Sequence, residues 1–267
     1  MQSIKSHSLE KLQRHNYYAG MFARGMKNSW PQLAYLGLYS GPGRARVVGS
    51  NEIVETTPMS VLRLQDPFTK YVFVDKDPNC IAGLSGRIGT LPYSPDVSLI
   101  LGDVNESVGK IRSAMPPFDS KRRLLSFCFV DPFAANLKFS TLAELARAYR
   151  MDFMILLALG VDALRNFRQY YLDRADSRIA DLIDCPEWRN EYDKSAERSV
   201  VRFLLARFDE AMKRLGYRSA QPKHHHPVKI QGRGAMQYIL VLYSKHRLGQ
   251  KFWESTLAGS DPQLGLF

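Results

Sequence analysis

Five short apolar runs mark the first 160 residues, and each stops abruptly at a polar residue or a glycine. They are "LAYLGLYS" (Leu33 to Ser40), "YVFVD" (Tyr71 to Asp75), "VSLILGD" (Val97 to Asp103), "LLSFCFVD" (Leu124 to Asp131) and "DFMILLALG" (Asp152 to Gly160). Near-continuous apolarity over so few residues predicts strands buried on both faces, as in a parallel sheet. The segments between them carry helical signals. In "TTPMSVLRLQ", Thr57 is placed to cap a helix with Pro58 in its first turn. "DPNCIAGLSGRI", "NESVGKIRSAM" and "STLAELARAYR" follow the second, third and fourth runs. Strand and helix in alternation predict an α/β fold with a doubly wound, mostly parallel sheet.

Beyond Gly160 the pattern changes. Residues 162–216 read as helix throughout, an insertion that ends at "KRLGY", where Gly216 suits a helix C-terminus. "MQYILVLYS" predicts a last strand and "RLGQKFWESTL" a last helix. "KHHHPVKIQGRG" before them reads as a loop with room for one short strand. Residues 8–30 read as an amphipathic leading helix. The expected organisation is an N-terminal helical segment (residues 1–30) followed by an α/β domain (residues 31–267) that carries the helical insertion at about 162–216.

Composition narrows the function. An apolar content of 45% with 11% aromatic residues excludes a disordered chain. No apolar run is long enough to span a bilayer, and the first residues lack a signal-peptide core, so a cytoplasmic protein with no membrane partner is expected. Cys80, Cys128 and Cys185 lie far apart with no metal-ligand spacing, which predicts reduced thiols and no metal. The adjacent His224, His225 and His226 would alternate between faces of an extended segment and make a poor ligand set. Charge is the outlier. A net +11, from 37 Lys and Arg against 26 Asp and Glu, predicts a polyanionic partner, most simply nucleic acid.

Candidate chemistry gathers at the strand ends. The turn Ser40-Gly41-Pro42-Gly43 has no P-loop lysine, and Arg46 stands where a dinucleotide fingerprint needs its third glycine. It offers close backbone approach without a pyrophosphate cradle, which suits an adenosine ligand that carries no phosphates. Asp75 ends the second run, where a carboxylate accepts both hydroxyls of a ribose. Asp103 ends the third, placed to accept from an adenine amine. Asn105 is set either to bond the cofactor or to cap the next helix through an Asx turn. Asp131 ends the fourth and is followed by Pro132 and Phe133. Any one of these aspartates reads equally well as a helix cap. Together, in this order at consecutive strand ends, they describe an S-adenosylmethionine site. Arg44 and Arg46, beside the turn, are the candidate substrate-binding cations, and "KRR" (Lys121, Arg122, Arg123) is a second basic cluster.

The order "GLYSGPG", "FVDKDP", "GDVNE", "FVDPF", "YILVLYSKHRLGQKFW" resembles the three-Cys-motif partner protein (TcmP) family, from about Lys11 to Trp253. Members of that family resemble class I methyltransferases. The resemblance implies a Rossmann-like class I methyltransferase fold, S-adenosylmethionine as cofactor, and a partner protein with a three-cysteine motif that resembles radical-S-adenosylmethionine enzymes. Asp131-Pro132-Phe133 is also similar to the Asp-Pro-Pro-Tyr/Phe motif of amino-methyltransferases that act on nucleobases, although the second proline is missing. By that likeness Asp131 is the polar orienter or base, Pro132 fixes the loop and Phe133 is a stacking wall. The expected activity is methyl transfer to a base or ribose of RNA or DNA. The alternative is a non-catalytic cofactor-binding subunit that works with the three-cysteine partner; a nicotinamide oxidoreductase is disfavoured by the missing glycine.

Overall fold

In a computed structural model of the chain, the near-continuous apolar runs become a sheet buried on both faces. The structure describes residues 2–5, 7–50, 52–117, 123–160, 172, 176–218, 224–229 and 236–259. The N-terminal half forms β1 (Gln2–Ile4), α1 (His7–Met26), β2 (Gln32–Leu38), β3 (Arg44–Val47), β4 (Ile53–Glu55), α2 (Thr57–Leu62), β5 (Lys70–Asp75), α3 (Pro78–Ile88), β6 (Val97–Leu101) and α4 (Val108–Ala114). There follow β7 (Leu124–Val130), α5 (Phe139–Ala148), β8 (Met151–Leu157), α6 (Arg178–Ile183), α7 (Trp188–Lys194), α8 (Val200–Arg214), β9 (His225–Lys229), β10 (Met236–Tyr243) and α9 (Arg247–Ala258).

Seven strands make the main sheet in the order β6-β5-β2-β7-β8-β10-β9. β10 runs antiparallel to both of its neighbours, and the other pairings are parallel. The α/β doubly wound sheet expected from the apolar runs is therefore present. On β2, Ala34, Leu36 and Leu38 enter one apolar layer while Leu33 and Tyr35 enter the other. β7 divides likewise, with Cys128 and Val130 on one side and Phe127 and Phe129 on the opposite side. The first layer packs on α4, α5, α6 and α8, and the second on α1, α2, α3 and α9.

Several local expectations are corrected. α2 begins one residue earlier than expected, with Thr56 rather than Thr57 at the N-cap and Pro58 at the second helical position. The stretch after the glycine turn, which carries no element signal of its own, is the hairpin of β3 and β4, and β1 pairs parallel to β3 with Ser3 opposite Arg46. The short strand for which the histidine-rich segment had room is present, as the edge strand β9. Of the insertion, residues 161–171 and 173–175 lie outside the described residues; the rest is three helices, not one, with a break where Asp184 takes a left-handed φ of 53°.

α1 is tied into the core by polar as well as apolar contacts. Tyr18, Ala19, Phe22 and Ala23 are buried, and the Tyr18 hydroxyl donates to Asp152 Oδ2 at 2.9 Å. Burial pushes the Asp152 carboxyl up to about 6, against hydrogen bonds with Ser244 and Tyr18 that act to lower it. A carboxyl whose folded pKa is raised favours folding below its unfolded value, and that contribution is lost as pH rises through about 6. Asp152→Asn is expected to gain on the wild type between pH 4 and pH 7 by about 2 kcal/mol. Urea unfolding at the two pH values measures this, and a pH-independent difference between the proteins contradicts it.

Candidate functional site at the sheet switch point

The chain steps outward from β2 through β5 to β6, then crosses back to β7 on the other flank of β2. Strands that leave in opposite directions open a crevice between the carboxyl ends of β2 and β7, where ligands bind in sheets of this kind. The glycine turn and the Asp131-Pro132-Phe133 segment are those two ends.

Beyond Leu38 the chain bends at Tyr39, in the left-handed region at φ 59°, and Gly41 and Gly43 follow at φ 68° and 85°. A non-glycine residue held there stores backbone strain of the kind found at functional sites. Ser40 N donates to Val74 O at 3.0 Å, and Gly41 N to Asp75 Oδ2 at 2.7 Å. Asp77 N donates to the other oxygen of Asp75 at 2.9 Å. Asp75 thus braces the turn, with a further lone pair left on each oxygen. The two glycines do different work. Gly41 lines the cleft. Gly43 faces the core, where an added Cβ would stand 2.8 Å from Met59 Cγ. Arg87 Nη1 donates to Pro42 O at 2.8 Å and pins the back of the turn to α3.

The cleft over the seam of β2 and β7 encloses about 290 Å³ and is lined by Tyr39, Ser40, Gly41, Thr56, Asp131, Pro132 and Phe133, among others. Its remaining wall comes from the N-terminal segment: Ser3, Ile4, Lys5, Ser8 and Lys11. Lys11 Nζ reaches Asp131 Oδ2 at 2.5 Å, an ion pair in which both side chains are largely shielded from water. One turn on, His15 is fully buried beneath it, with Nε2 2.7 Å from the Tyr35 hydroxyl. Burial brings the His15 imidazole down to about 4, and the Lys11 charge acts the same way. His15 is therefore neutral at neutral pH, which leaves Lys11 as the cation facing Asp131. Phe133 is 77% exposed at the lip.

Three hydroxyls of this cleft are buried without a hydrogen-bond partner among the described residues: Tyr39 Oη, Ser40 Oγ and Thr56 Oγ1. Unsatisfied buried hydroxyls cost free energy unless a ligand completes them. Burial, reinforced by the nearby charge of Asp103, raises the Tyr39 hydroxyl above its ordinary pKa, so it stays a donor.

The other expected residues sit around this centre. Asp103 caps a single 3₁₀ turn by accepting from Asn105 N at 2.8 Å. The side-chain amide of Asn105, expected at the cofactor or as a cap, donates to Asn136 O and accepts from Lys138 N and Thr141 Oγ1. It clamps the segment after Phe133 to the end of β6. Arg44, expected at the substrate, pairs with Glu55 at 3.3 Å across β3 and β4. Arg46 is exposed on β3, away from the cleft lining. Lys121 and Arg122 lie outside the described residues. Lys11 was missed altogether. Its signal was a stripe of Lys11, His15, Tyr18 and Phe22 at helical spacing, in which two polar residues share the apolar face of α1.

No protein-family model matches the chain, and no curated protein sequence matches it. Solved structures do. Protein LPL1258 of Legionella pneumophila is 9% identical at a TM-score of 0.52, covering 94% of this chain and 91% of that one. Magnesium protoporphyrin IX methyltransferase of Synechocystis PCC 6803, with bound SAH, is 9% identical at 0.44, covering 86% and 84%. TYW2 of M. jannaschii, in complex with AdoMet, is 10% identical at 0.44, covering 89% and 75%. At such identities the likeness to the Legionella protein is one of fold.

Gly43 offers a direct test of the turn. Gly43→Ala combines a disfavoured φ with a clash against Met59 and Leu84, and is expected to lose about 2 kcal/mol in thermal or urea unfolding. Gly49→Ala, at φ 102° but with open space around it, is expected to lose clearly less. Equal losses would mean that contact with the core plays no part.

Proposed function

We propose that the chain is an S-adenosylmethionine-dependent methyltransferase acting on nucleic acid, at a base or a ribose. The observation that carries this reading is the convergence of the strained glycine turn and Asp131-Pro132-Phe133 on one switch-point cleft with three unpartnered hydroxyls. Those hydroxyls and the Gly41 backbone suit the amino-acid end of the cofactor, which offers both donors and acceptors. Asp75 and Asp103 stand at the next two strand ends outward, on the side where a ribose and an adenine would extend. When bound, the cofactor supplies a methyl group already activated on a sulfonium.

The protein's own part is alignment, and orientation alone is worth roughly 7–11 kcal/mol in such displacements. Asp131 accepts a hydrogen bond from the acceptor's N–H or O–H and so holds its lone pair toward the methyl. Pro132 stiffens the segment, and exposed Phe133 offers a face for a planar base. An acceptor flipped or looped into the cleft matches this arrangement, since an unstacked base costs least to present.

A second reading has its own observation. The ion pair of Lys11 with Asp131 closes the acceptor end, which favours a cofactor-binding subunit that acts only with a partner. The resemblance to the three-Cys-motif partner proteins makes that partner a three-cysteine protein.

Calorimetric titration with S-adenosylhomocysteine is expected to show one site, and labelled methyl is expected to enter RNA or DNA. Asp131→Ala is expected to cut transfer at least 100-fold while cofactor affinity stays within a few-fold. Lost affinity, or intact transfer, defeats the role given to Asp131. Cofactor binding without label in either polymer, in the wild type and in Lys11→Met alike, supports the subunit reading instead.

A further inference from the structure

Charge is divided between the two edges of the main sheet. Around the cleft, at the carboxyl edge, the two signs are interspersed: Asp75, Asp77, Asp103 and Glu106 stand with Lys5, Lys76 and the paired Lys11 and Asp131. The opposite edge is basic. Arg123 and Arg150 immediately precede β7 and β8, while Lys245 and Arg247 follow antiparallel β10, whose end lies beside the start of β8. Arg112 and Arg147 lie in the last turns of α4 and α5, the helices that lead into those same parallel strands. All six are exposed, and none forms an ion pair among the described residues. The acids nearby are already neutralised or buried: Asp66 pairs with Lys27, Asp96 with Lys70, and Asp152 is in the core.

At the centre of this edge is Trp30. The guanidiniums of Arg123 and Arg150 lie 5.7 and 5.6 Å from its ring centroid. Trp188 and Trp253 are fully buried, whereas Trp30 is half-buried. Beside it opens a cavity of about 460 Å³, walled by Phe22, Met26, Leu125 and Phe252, with Asp152 and Ser244 as polar groups in its lining. Aromatic surfaces flanked by arginines and set in a basic face are what single-stranded nucleic acid requires: stacking for the base, cations for the phosphates.

We infer that this amino-edge face docks single-stranded nucleic acid, with phosphates on the arginines and lysine and a base beside Trp30 in the cavity. The cavity lining selects among polyanions. A lipid acyl chain would leave the Arg150, Lys245 and His246 groups of the lining without a polar partner, and an acidic peptide brings no planar group for the aromatic wall. A nucleotide brings both a ring for that wall and acceptors for those cations. The face lies a seven-residue strand away from the cleft, roughly 23 Å. Docking here is separate from methyl transfer and stands whether or not that reaction occurs.

The test uses the full chain without cofactor, titrated with a short mixed-sequence single-stranded RNA and followed by tryptophan fluorescence. Because the other two tryptophans are buried, the expected quenching belongs to Trp30 and disappears in Trp30→Phe. Arg150→Glu with Lys245→Glu is expected to weaken binding at least tenfold and to flatten its salt dependence, whereas Lys76→Glu, at the carboxyl edge, is expected to change it less than twofold. Binding that survives the double reversal but falls with Lys76→Glu overturns the inference. So does quenching by anionic phospholipid vesicles or polyglutamate that the RNA fails to produce. Trp30→Phe binding RNA with unchanged affinity removes the base from the cavity and overturns that part.

Discussion

Two parallel strands whose onward connections depart in opposite directions cannot both roof the gap between their carboxyl ends. That constraint, met where β2 adjoins β7, underlies the candidate site in the cleft. It sets the glycine turn opposite Asp131 without any contact between them being required. It also explains why the turn must be held from behind. The Asp75 carboxylate grips the Gly41 amide, and Arg87 grips the Pro42 carbonyl, so the strained backbone at Tyr39 persists against relaxation.

A crevice open on one side needs a wall, and here the N-terminal segment provides it. β1 reaches the site by pairing with β3, and α1 delivers Lys11 onto Asp131 while its buried face joins the core through Tyr18 and Phe22. The leading helix and the candidate site therefore share one set of packing contacts. The neutral state of His15 is part of the same arrangement: a second cation under Lys11 would be repelled and desolvated at once.

The basic surplus is a net of local imbalances, and the structure shows where it accumulates. Arg44, beside the glycine turn, is matched by Glu55. Cations at the far edge are not, because the helices and parallel strands meeting there present arginine at their junctions with few acids beside them.

Strand identity, the α/β class and the order of the chemical groups were legible in the sequence, because short continuous apolar runs and strand-terminal aspartates are local signals. Asp131 and the glycine turn could be singled out that way. The hairpin of β3 and β4 could not, since its short half-exposed strands carry no apolar period and exist because β1 and β4 flank β3. Nor could the two fates of Gly41 and Gly43, the diversion of Asn105 into a loop clamp, or the meeting of Lys11 with Asp131. Local sequence decides how a backbone segment bends and which residues avoid water. Which side chains meet across 120 positions of chain depends on how the layers pack, and only the folded structure holds that information.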